Sequence, residues 1–310
     1  MSVLITGVAG FLGMHVAEAL LARGEQVAGI DEPGPGHDPA LGEARLHRLT
    51  WDGRFTFARG DVADAAFLAD WAKRQGDDIT GVVHLADARE PEPLRSAEAA
   101  GRRLGGHLAL LDLCCERLPG LRHLVHVLPC PGSTPAGNGL PLGKAEATLG
   151  RAYARLHGIP QTALRFAGLY GPWDRADSLC HVLADAILAG RPVTLPEAGG
   201  RVRLTWVEDA VAGILAALDR PPAADGAGPH RLLDLPGPEP VELDRLLGVV
   251  EEAMGRQVER RCGTAVVGLP EDDGVDGEPA RDLLGWAPRI GIEEGIGRFV
   301  AWHRARHGSA

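Results

Sequence analysis

A chain of 310 residues with 45% hydrophobic side chains is long enough for one large domain, or for a nucleotide-binding domain with a smaller lobe. Its net charge of −10 speaks against a nucleic-acid groove or an anionic membrane surface as partner. No apolar run approaches the ~20 residues of a membrane span, and the amino terminus reads as a strand, not a signal peptide. The five cysteines are odd in number, and Cys114 and Cys115 are adjacent in a helical pattern. That argues against a disulfide framework and for a reducing, cytoplasmic setting. No Cys/His spacing resembles a zinc site, so no metal is expected.

The first element is a strand over 2–6, and it runs straight into Gly7, Gly10 and Gly13, spaced three apart. A helix follows over 11–23 and a second strand over 26–30, closing on Asp31. This is the build of a dinucleotide pyrophosphate site. One glycine permits the tight turn, a second lets backbone approach the phosphates, and a third lets the helix pack on the strand. The free N–H groups of the helix start then face an anion. An acid at the end of the second strand is placed to accept hydrogen bonds from the adenosine ribose.

Strands at 55–58, 81–85, 122–128 and 161–166 alternate with helices at 64–75, 98–117 and 142–157. That alternation predicts an α/β, doubly wound parallel sheet covered on both faces. After 167 the pattern changes to short strands near 192–195, 202–206 and 231–235. Helices are expected near 178–189, 207–219, 241–254 and 291–306. Segments 32–39, 129–143, 221–229 and 236–240 are rich in Pro and Gly and read as loops. The expected division is a dinucleotide-binding domain over 1–166, to which 206–235 returns. A smaller C-terminal α/β substrate lobe is built from 167–205 and 236–310.

Only two lysines, Lys73 and Lys144, stand among 30 arginines. Lys73 reads as a helix C-terminal charge, whereas Lys144 is a candidate for a role a planar guanidinium cannot fill. His123 and His126, three apart on a strand, point to opposite faces and are no ligand pair. His84 reads as a residue packed beneath the sheet. The acidic run 271–276 lacks calcium-loop spacing and reads as a solvated loop.

In order along the chain, these motifs resemble the extended short-chain dehydrogenase/reductase family, in particular its NAD-dependent nucleotide-sugar epimerases and dehydratases. The resemblance rests on the glycine loop, Gly60-Asp61-Val62, His84-Leu85-Ala86 and Leu164-Arg165-Phe166 with Leu169-Tyr170-Gly171-Pro172. It extends through Val207-Glu208-Asp209 to Leu284-Gly285-Trp286-Ala287-Pro288. Gly29-Ile30-Asp31, Glu43-Ala44-Arg45-Leu46 and Tyr170-Gly171-Pro172-Trp173 with Arg175 and Asp177 resemble the UDP-glucuronate 4-epimerase branch. The resemblance implies a Rossmann fold that binds NAD in preference to NADP. Gly7, Gly10, Phe11, Leu12 and Gly13 would sit at the pyrophosphate, Asp31 at the adenosine ribose, and Asp61 and Val62 at the adenine. Leu85, Ala86 and Lys144 would sit at the nicotinamide ribose. Arg175 would look toward a sugar carboxylate, and Arg201 or Arg203 would supply a diphosphate-binding charge in place of Val202. A UDP-sugar as small-molecule substrate and a homodimer are implied as well.

The departures concern the chemistry. The family's catalytic tyrosine belongs four residues before the lysine, where this chain has Leu140, and no tyrosine occurs between 1 and 152. The partner Ser or Thr belongs where the chain reads Leu128-Pro129-Cys130, and the loop before Lys144 is short. Arg103 replaces a helix asparagine, and Gly168 a residue that reaches the substrate. Cys130 and Asp87 are candidate substitutes for the lost acid/base, set against an inert small residue and a solvated loop carboxylate. Tyr153, nine residues past Lys144, reads as a packing residue, and Tyr170 as structural. Three readings stay open: a sugar-nucleotide epimerase or dehydratase with reassigned proton transfers, a non-redox isomerase, lyase or cyclase in the same pocket, and a dinucleotide-binding pseudoenzyme.

Overall fold

The computed structural model describes residues 1–32, 39–86, 97–128, 139–196, 200–223, 228–263 and 275–307. Its first half runs β1 (Ser2–Thr6), α1 (Phe11–Ala22), β2 (Gln26–Asp31), α2 (Pro39–Leu49), β3 (Phe55–Arg59) and α3 (Ala65–Gln75). It continues with β4 (Gly81–His84), α4 (Ala97–Glu116), β5 (His123–Leu128), α5 (Gly139–His157) and β6 (Gln161–Arg165). The second half holds β7 (Leu169–Tyr170), α6 (Leu179–Leu188), β8 (Val193–Leu195), β9 (Arg201–Arg203), β10 (Thr205–Trp206) and α7 (Val207–Leu218). It ends with β11 (His230–Asp234), β12 (Pro240–Glu242), α8 (Leu243–Met254), β13 (Arg260–Cys262), α9 (Glu278–Leu284) and α10 (Ile292–His307).

Seven strands form one sheet in the order β11-β6-β5-β4-β1-β2-β3, every neighbouring pair parallel. A parallel sheet carries helices on both faces, which is why Val3, Leu4 and Ile5 are all buried with no polar alternation. Val3, Ile5, Val83 and Val125 face the cluster built on α1 and α7. Leu4, Val82 and Leu124 face α3 and α4. The chain direction reverses its order at β1, between β2 and β4. The turn after β1 therefore sits at the topological switch point, where open α/β sheets bind ligands.

The remaining strands form three pairs, β7 with β10, β9 with β12 and β8 with β13. Asp209 on α7 ties the C-terminal segment back. Its carboxylate accepts from the Arg289 and Ile290 N–H groups at 2.9 and 3.0 Å, and its carbonyl accepts from Trp286 Nε1 at 2.8 Å. Across β6 and β11, Arg165 grips Asp234 with two bonds of 2.6 and 2.8 Å.

Several sequence expectations need correction. The helix α2 (Pro39–Leu49) starts at the end of the expected loop 32–39 and fills a stretch for which the sequence predicts no element; its buried Leu41, Arg45, Leu46 and Leu49 follow a helical stripe. The short helix α9 and strands β7, β12 and β13 were also unanticipated; two- and three-residue strands carry too little periodicity to read. The expected strand 202–206 is two strands with different partners. Helix α5 begins at Gly139, inside the segment expected to be loop.

Candidate active site at the C-terminal edge of the sheet

The glycine loop is constrained by contact with backbone. A Cβ on Gly7, whose φ is +75°, would lie 2.6 Å from the Ala86 nitrogen, so β1 and β4 end in direct apposition. A Cβ on Gly13 would lie 2.0 Å from the Gly7 carbonyl oxygen and 2.8 Å from Val8 Cα. These are contacts no side-chain rotation relieves. Gly10 caps α1 without a side-chain hydrogen bond, and no acidic residue stands in the first turn. The N–H groups of Phe11, Leu12 and Gly13 belong to that first turn, which has no intrahelical acceptors for them.

At the end of β2, Asp31 Oδ2 accepts from the Ala9 N–H at 2.7 Å, fixing the carboxylate against the loop. Burial raises its pKa, opposed by the Ala9 and Glu32 N–H groups and by Arg45 and Arg59. Asp61 folds back to accept from the Ala63 N–H at 2.8 Å. Val62 packs against the α3–α4 cluster. Leu85 and Ala86 are half-buried at the end of β4, with the Ala86 N–H 3.4 Å from Thr6 Oγ1.

Lys144 lies exposed on α5, and the same helix carries Leu140 one turn earlier. Two residues on, Glu146 turns inward and forms a buried ion pair with Arg103 of α4, Oε1 to Nε at 2.6 Å. Arg103, which stands where the family resemblance implies an asparagine, is thus paired with a carboxylate from the neighbouring helix. Beside the pair is a cavity of about 20 Å³, lined among others by Val62, His84, Ala86, Arg103, His107 and Glu146. Cys130 and Asp87 lie outside the described residues, as does the side chain of Leu140.

On the substrate side, Arg175 pairs with Asp177 of its own loop, Nε to Oδ1 at 2.7 Å. Val202 is fully buried, and Arg201 is exposed and paired with Glu242 at 3.2 Å. Arg203 donates to the Gly237 carbonyl at 3.2 Å. It lines a cavity of about 290 Å³ with Asp276, Glu278, Arg281 and Trp286. Tyr153 donates to Asp112 at 2.7 Å and Tyr170 is buried against Trp206, so both tyrosines have packing roles.

Arg45, read in the sequence only within a motif, joins the glycine loop to the 171–175 turn, and Asp174 lies buried in that turn near it. Buried Arg45 donates to the Ala9 carbonyl at 3.2 Å and, through Nε, to the Trp173 carbonyl at 3.1 Å. Asp174, also buried, accepts from the Arg175 N–H at 2.7 Å, and burial pushes its pKa up to about 7. The Glu43-Ala44-Arg45-Leu46 motif is the signal in the sequence for the first. Nothing in sequence marks the second.

The family model for the NAD dependent epimerase/dehydratase family matches residues 3–131 and 145–229. UDP-glucuronate 4-epimerase 1 of Arabidopsis thaliana is 30% identical over 99% of this chain and 77% of its own. A probable UDP-glucuronate 4-epimerase of Rhizobium meliloti is 28% identical over 98% and 97%. Among solved structures, UDP-glucuronic acid 4-epimerase from Bacillus cereus, in complex with UDP-glucuronic acid and NAD, superposes with a TM-score of 0.84. It is 22% identical and covers 99% of this chain and 100% of its own, a likeness of fold. With the glycine loop, the seven-stranded parallel sheet and a family match over most of its length, the chain belongs to the NAD-dependent epimerase/dehydratase family.

Proposed function

We propose that this chain holds NAD across the C-terminal edge of its sheet and acts on a UDP-activated sugar acid, as a 4-epimerase or a related oxidoreductase whose proton transfers bypass a tyrosine. The cofactor half of the reading is carried by the turn after β1, where Gly7 and Gly13 leave no space for a Cβ and the first turn of α1 is open to an anion. The substrate half is carried by the end-to-end likeness to UDP-glucuronate 4-epimerases.

In this reading Asp31 accepts from the adenosine ribose hydroxyls. Asp31 and Glu32 repel a 2′-phosphate, favouring NAD over NADP. Asp61 and Val62 meet the adenine, and Leu85 and Ala86 the nicotinamide ribose. Lys144 donates to that ribose from the other side. Arg175, released from Asp177, takes the sugar carboxylate as a bidentate partner, and Arg203 or Arg201 supplies charge for the diphosphate. Bound NAD supplies a hydride acceptor that can return the hydride. Leu140 can move no proton, and general acid/base catalysis is worth roughly 10²–10⁴-fold. Turnover is therefore slow relative to a tyrosine-bearing relative. Homodimer formation belongs to the same reading, and light scattering measures it.

Calorimetry with NAD, NADP and UDP-glucuronate, followed by chromatography of the sugar nucleotides, tests the reading. The expected result is binding of NAD in preference to NADP, binding of UDP-glucuronate, and slow formation of the 4-epimer. No NAD binding refutes the cofactor half, and NAD binding without UDP-sugar binding refutes the substrate half. Leu140 also motivates a second reading, a non-redox isomerase, lyase or cyclase in the same pocket. Activity that survives Asp31→Arg with neither NAD nor NADP present would favour that alternative. A cofactor-bound chain with no turnover and a stable protein complex would favour a pseudoenzyme.

A further inference from the structure

Trp173 stands in the turn that presents Arg175, and its backbone is strained. Among the described residues it is the one non-glycine residue with a positive φ, +67°. A bulky residue keeps that conformation only where its surroundings over-determine it. Here arginines surround it. The Cζ atoms of Arg48 and Arg306 lie 5.3 and 5.4 Å from the centroid of the Trp173 ring, and the Trp302 ring is 5.9 Å away. The carbonyl is held as well: it accepts from Arg45 through both Nε, at 3.1 Å, and Nη2.

The other arm of the same guanidinium reaches the glycine loop. Arg45 Nη1 donates to the Ala9 carbonyl at 3.2 Å, while the Ala9 N–H donates to Asp31 at 2.7 Å. Residue 9 is thus held by the acid at the end of β2 and by Arg45 of α2. The planar fork lets one buried side chain, 3% exposed, bond carbonyls of two separate segments at once. A second tie comes from α1, where His15 Nε2 lies 2.9 Å from the Pro172 carbonyl. His15 sits in the second turn of its helix, beyond the loop, and fixes the turn alike whether the loop is occupied or empty. Of the two ties, Arg45 is the one that touches the loop itself.

We infer that Arg45 is a positioning residue that transmits occupancy of the glycine loop to the Arg175 turn. The turn has two arrangements. In the observed one Trp173 is left-handed and its carbonyl is bound to Arg45. In the other Trp173 relaxes to negative φ, its carbonyl leaves Arg45, and Arg175 is displaced. A dinucleotide with its pyrophosphate on the N–H groups of residues 11–13 and its ribose on Asp31 fixes the loop between them. The Ala9 carbonyl then keeps its aim at Arg45, and the phosphate charge holds the guanidinium at the loop. The Arg45 bonds are the differential contacts that a population shift requires. Coupling is reciprocal, so an anion that holds Arg175 in place strengthens dinucleotide binding by the same factor. The inference rests on the cofactor half of the proposed function and on nothing from its substrate half.

The test is amide exchange on the intact chain with NAD alone, added to saturation as judged by calorimetry. The Asp174 and Arg175 amides report on the turn, because they donate to the Gly171 carbonyl at 3.3 Å and to Asp174 Oδ1 at 2.7 Å. The Arg54 amide, which donates to Asp52 at 2.9 Å at the opposite edge of the sheet, is the control. NAD is expected to slow the turn amides by roughly tenfold and to leave Arg54 unchanged. In Arg45→Lys and Arg45→Gln a single nitrogen replaces the fork, and the slowing is expected to vanish. In His15→Phe it is expected to persist. Each protein is compared with and without NAD, so a uniform loss of stability does not imitate the result. NAD binding that leaves turn exchange unchanged in the wild type overturns the inference while the cofactor reading stands. Slowing that survives both Arg45 variants, or that is lost equally in His15→Phe, does the same. Absence of NAD binding to the wild type overturns the cofactor reading and the inference together.

Discussion

Acid titration of folding stability, run on the wild-type chain and on Asp174→Asn, separates two opposed sets of buried ionisable groups. His107 faces Arg103, Glu146 and the His84 and His126 rings. His123, on the opposite sheet face, is 2.9 Å from Thr162 Oγ1 and 3.2 Å from the Leu218 carbonyl, with Arg231 nearby. Burial pushes both from the ordinary 6.5 down to about 4, and holds His126 well below its ordinary value. Burial acts the other way on the Asp174 carboxyl, raising it from 3.8 to about 7. Between pH 4 and 6.5, then, the unfolded chain binds three protons on these histidines that the folded chain refuses. The folded chain keeps one, on Asp174, that the unfolded chain releases.

Two net protons favour the unfolded state, at about 1.4 kcal/mol each per pH unit. The histidine contribution is fully present above pH 6.5 and is lost on acidification at about 4 kcal/mol per pH unit, which the Asp174 proton offsets to a net of about 3. Over two units the loss reaches the scale of a typical domain's whole stability, about 5–15 kcal/mol. In Asp174→Asn the opposing proton is gone, so the slope steepens to about 4 kcal/mol per pH unit. The variant is more stable than wild type at pH 8, where it lacks a buried ionised carboxylate, and converges on wild type near pH 5. Urea midpoints at constant m, taken from pH 8 down to 4.5, measure both curves before most surface carboxylates titrate. Stability that stays flat or rises from pH 6.5 to 4.5 refutes the histidine argument. Parallel curves for the two proteins refute the Asp174 argument.

Gly13→Ala forces a Cβ onto the Gly7 carbonyl; a loss of about 1–3 kcal/mol by urea unfolding, together with loss of NAD binding, is expected. Asp31→Arg removes the acceptor at the end of β2 and the repulsion of a 2′-phosphate, so calorimetry should show weakened NAD and strengthened NADP. Glu146→Gln leaves the Arg103 guanidinium without its buried carboxylate and should cost about 3–5 kcal/mol, whereas the double change Arg103→Met with Glu146→Leu should cost far less. Leu140→Tyr alone should leave 4-epimerisation of UDP-glucuronate at the wild-type level, because 128–132 and the short loop before Lys144 differ too. Full activity in that single variant would refute the view that the whole pocket is reshaped.

The parts legible in sequence are those where backbone geometry dictates residue type. Gly7 and Gly13 abut main chain, so their spacing announced the turn. Asp31 closes β2 where the loop N–H groups converge. His123 and His126 lie on opposite faces, as strand alternation requires: His123 meets the Leu218 carbonyl of α7 and His126 the His107 ring of α4. Helix α2 was missed because Pro39 and Gly42 mask its start, although Leu41, Arg45, Leu46 and Leu49 keep a helical period. The Arg103–Glu146 pair and the His84–His107–His126 row were beyond reach for another reason. Each brings together residues from separate elements, and no local pattern encodes which ring or charge a neighbouring helix presents.

That difference bears on what family membership conveys. Replacing Gly13 disrupts the packing of α1 on β1, so the cofactor cradle and the fold stand or fall together. Position 140 lies near the start of α5, where leucine and tyrosine are both acceptable to a helix. Helix propensity therefore leaves its identity open to the chemistry of the site. A chain can consequently keep the sheet, the glycine loop, Asp31 and Lys144 while its proton transfers change hands. Here the inward-facing ionisable groups beside the cavity at Ala86 are Glu146, Arg103, His84 and His107, and in the proposed reading any group that takes over the proton transfers has to work against the field they set.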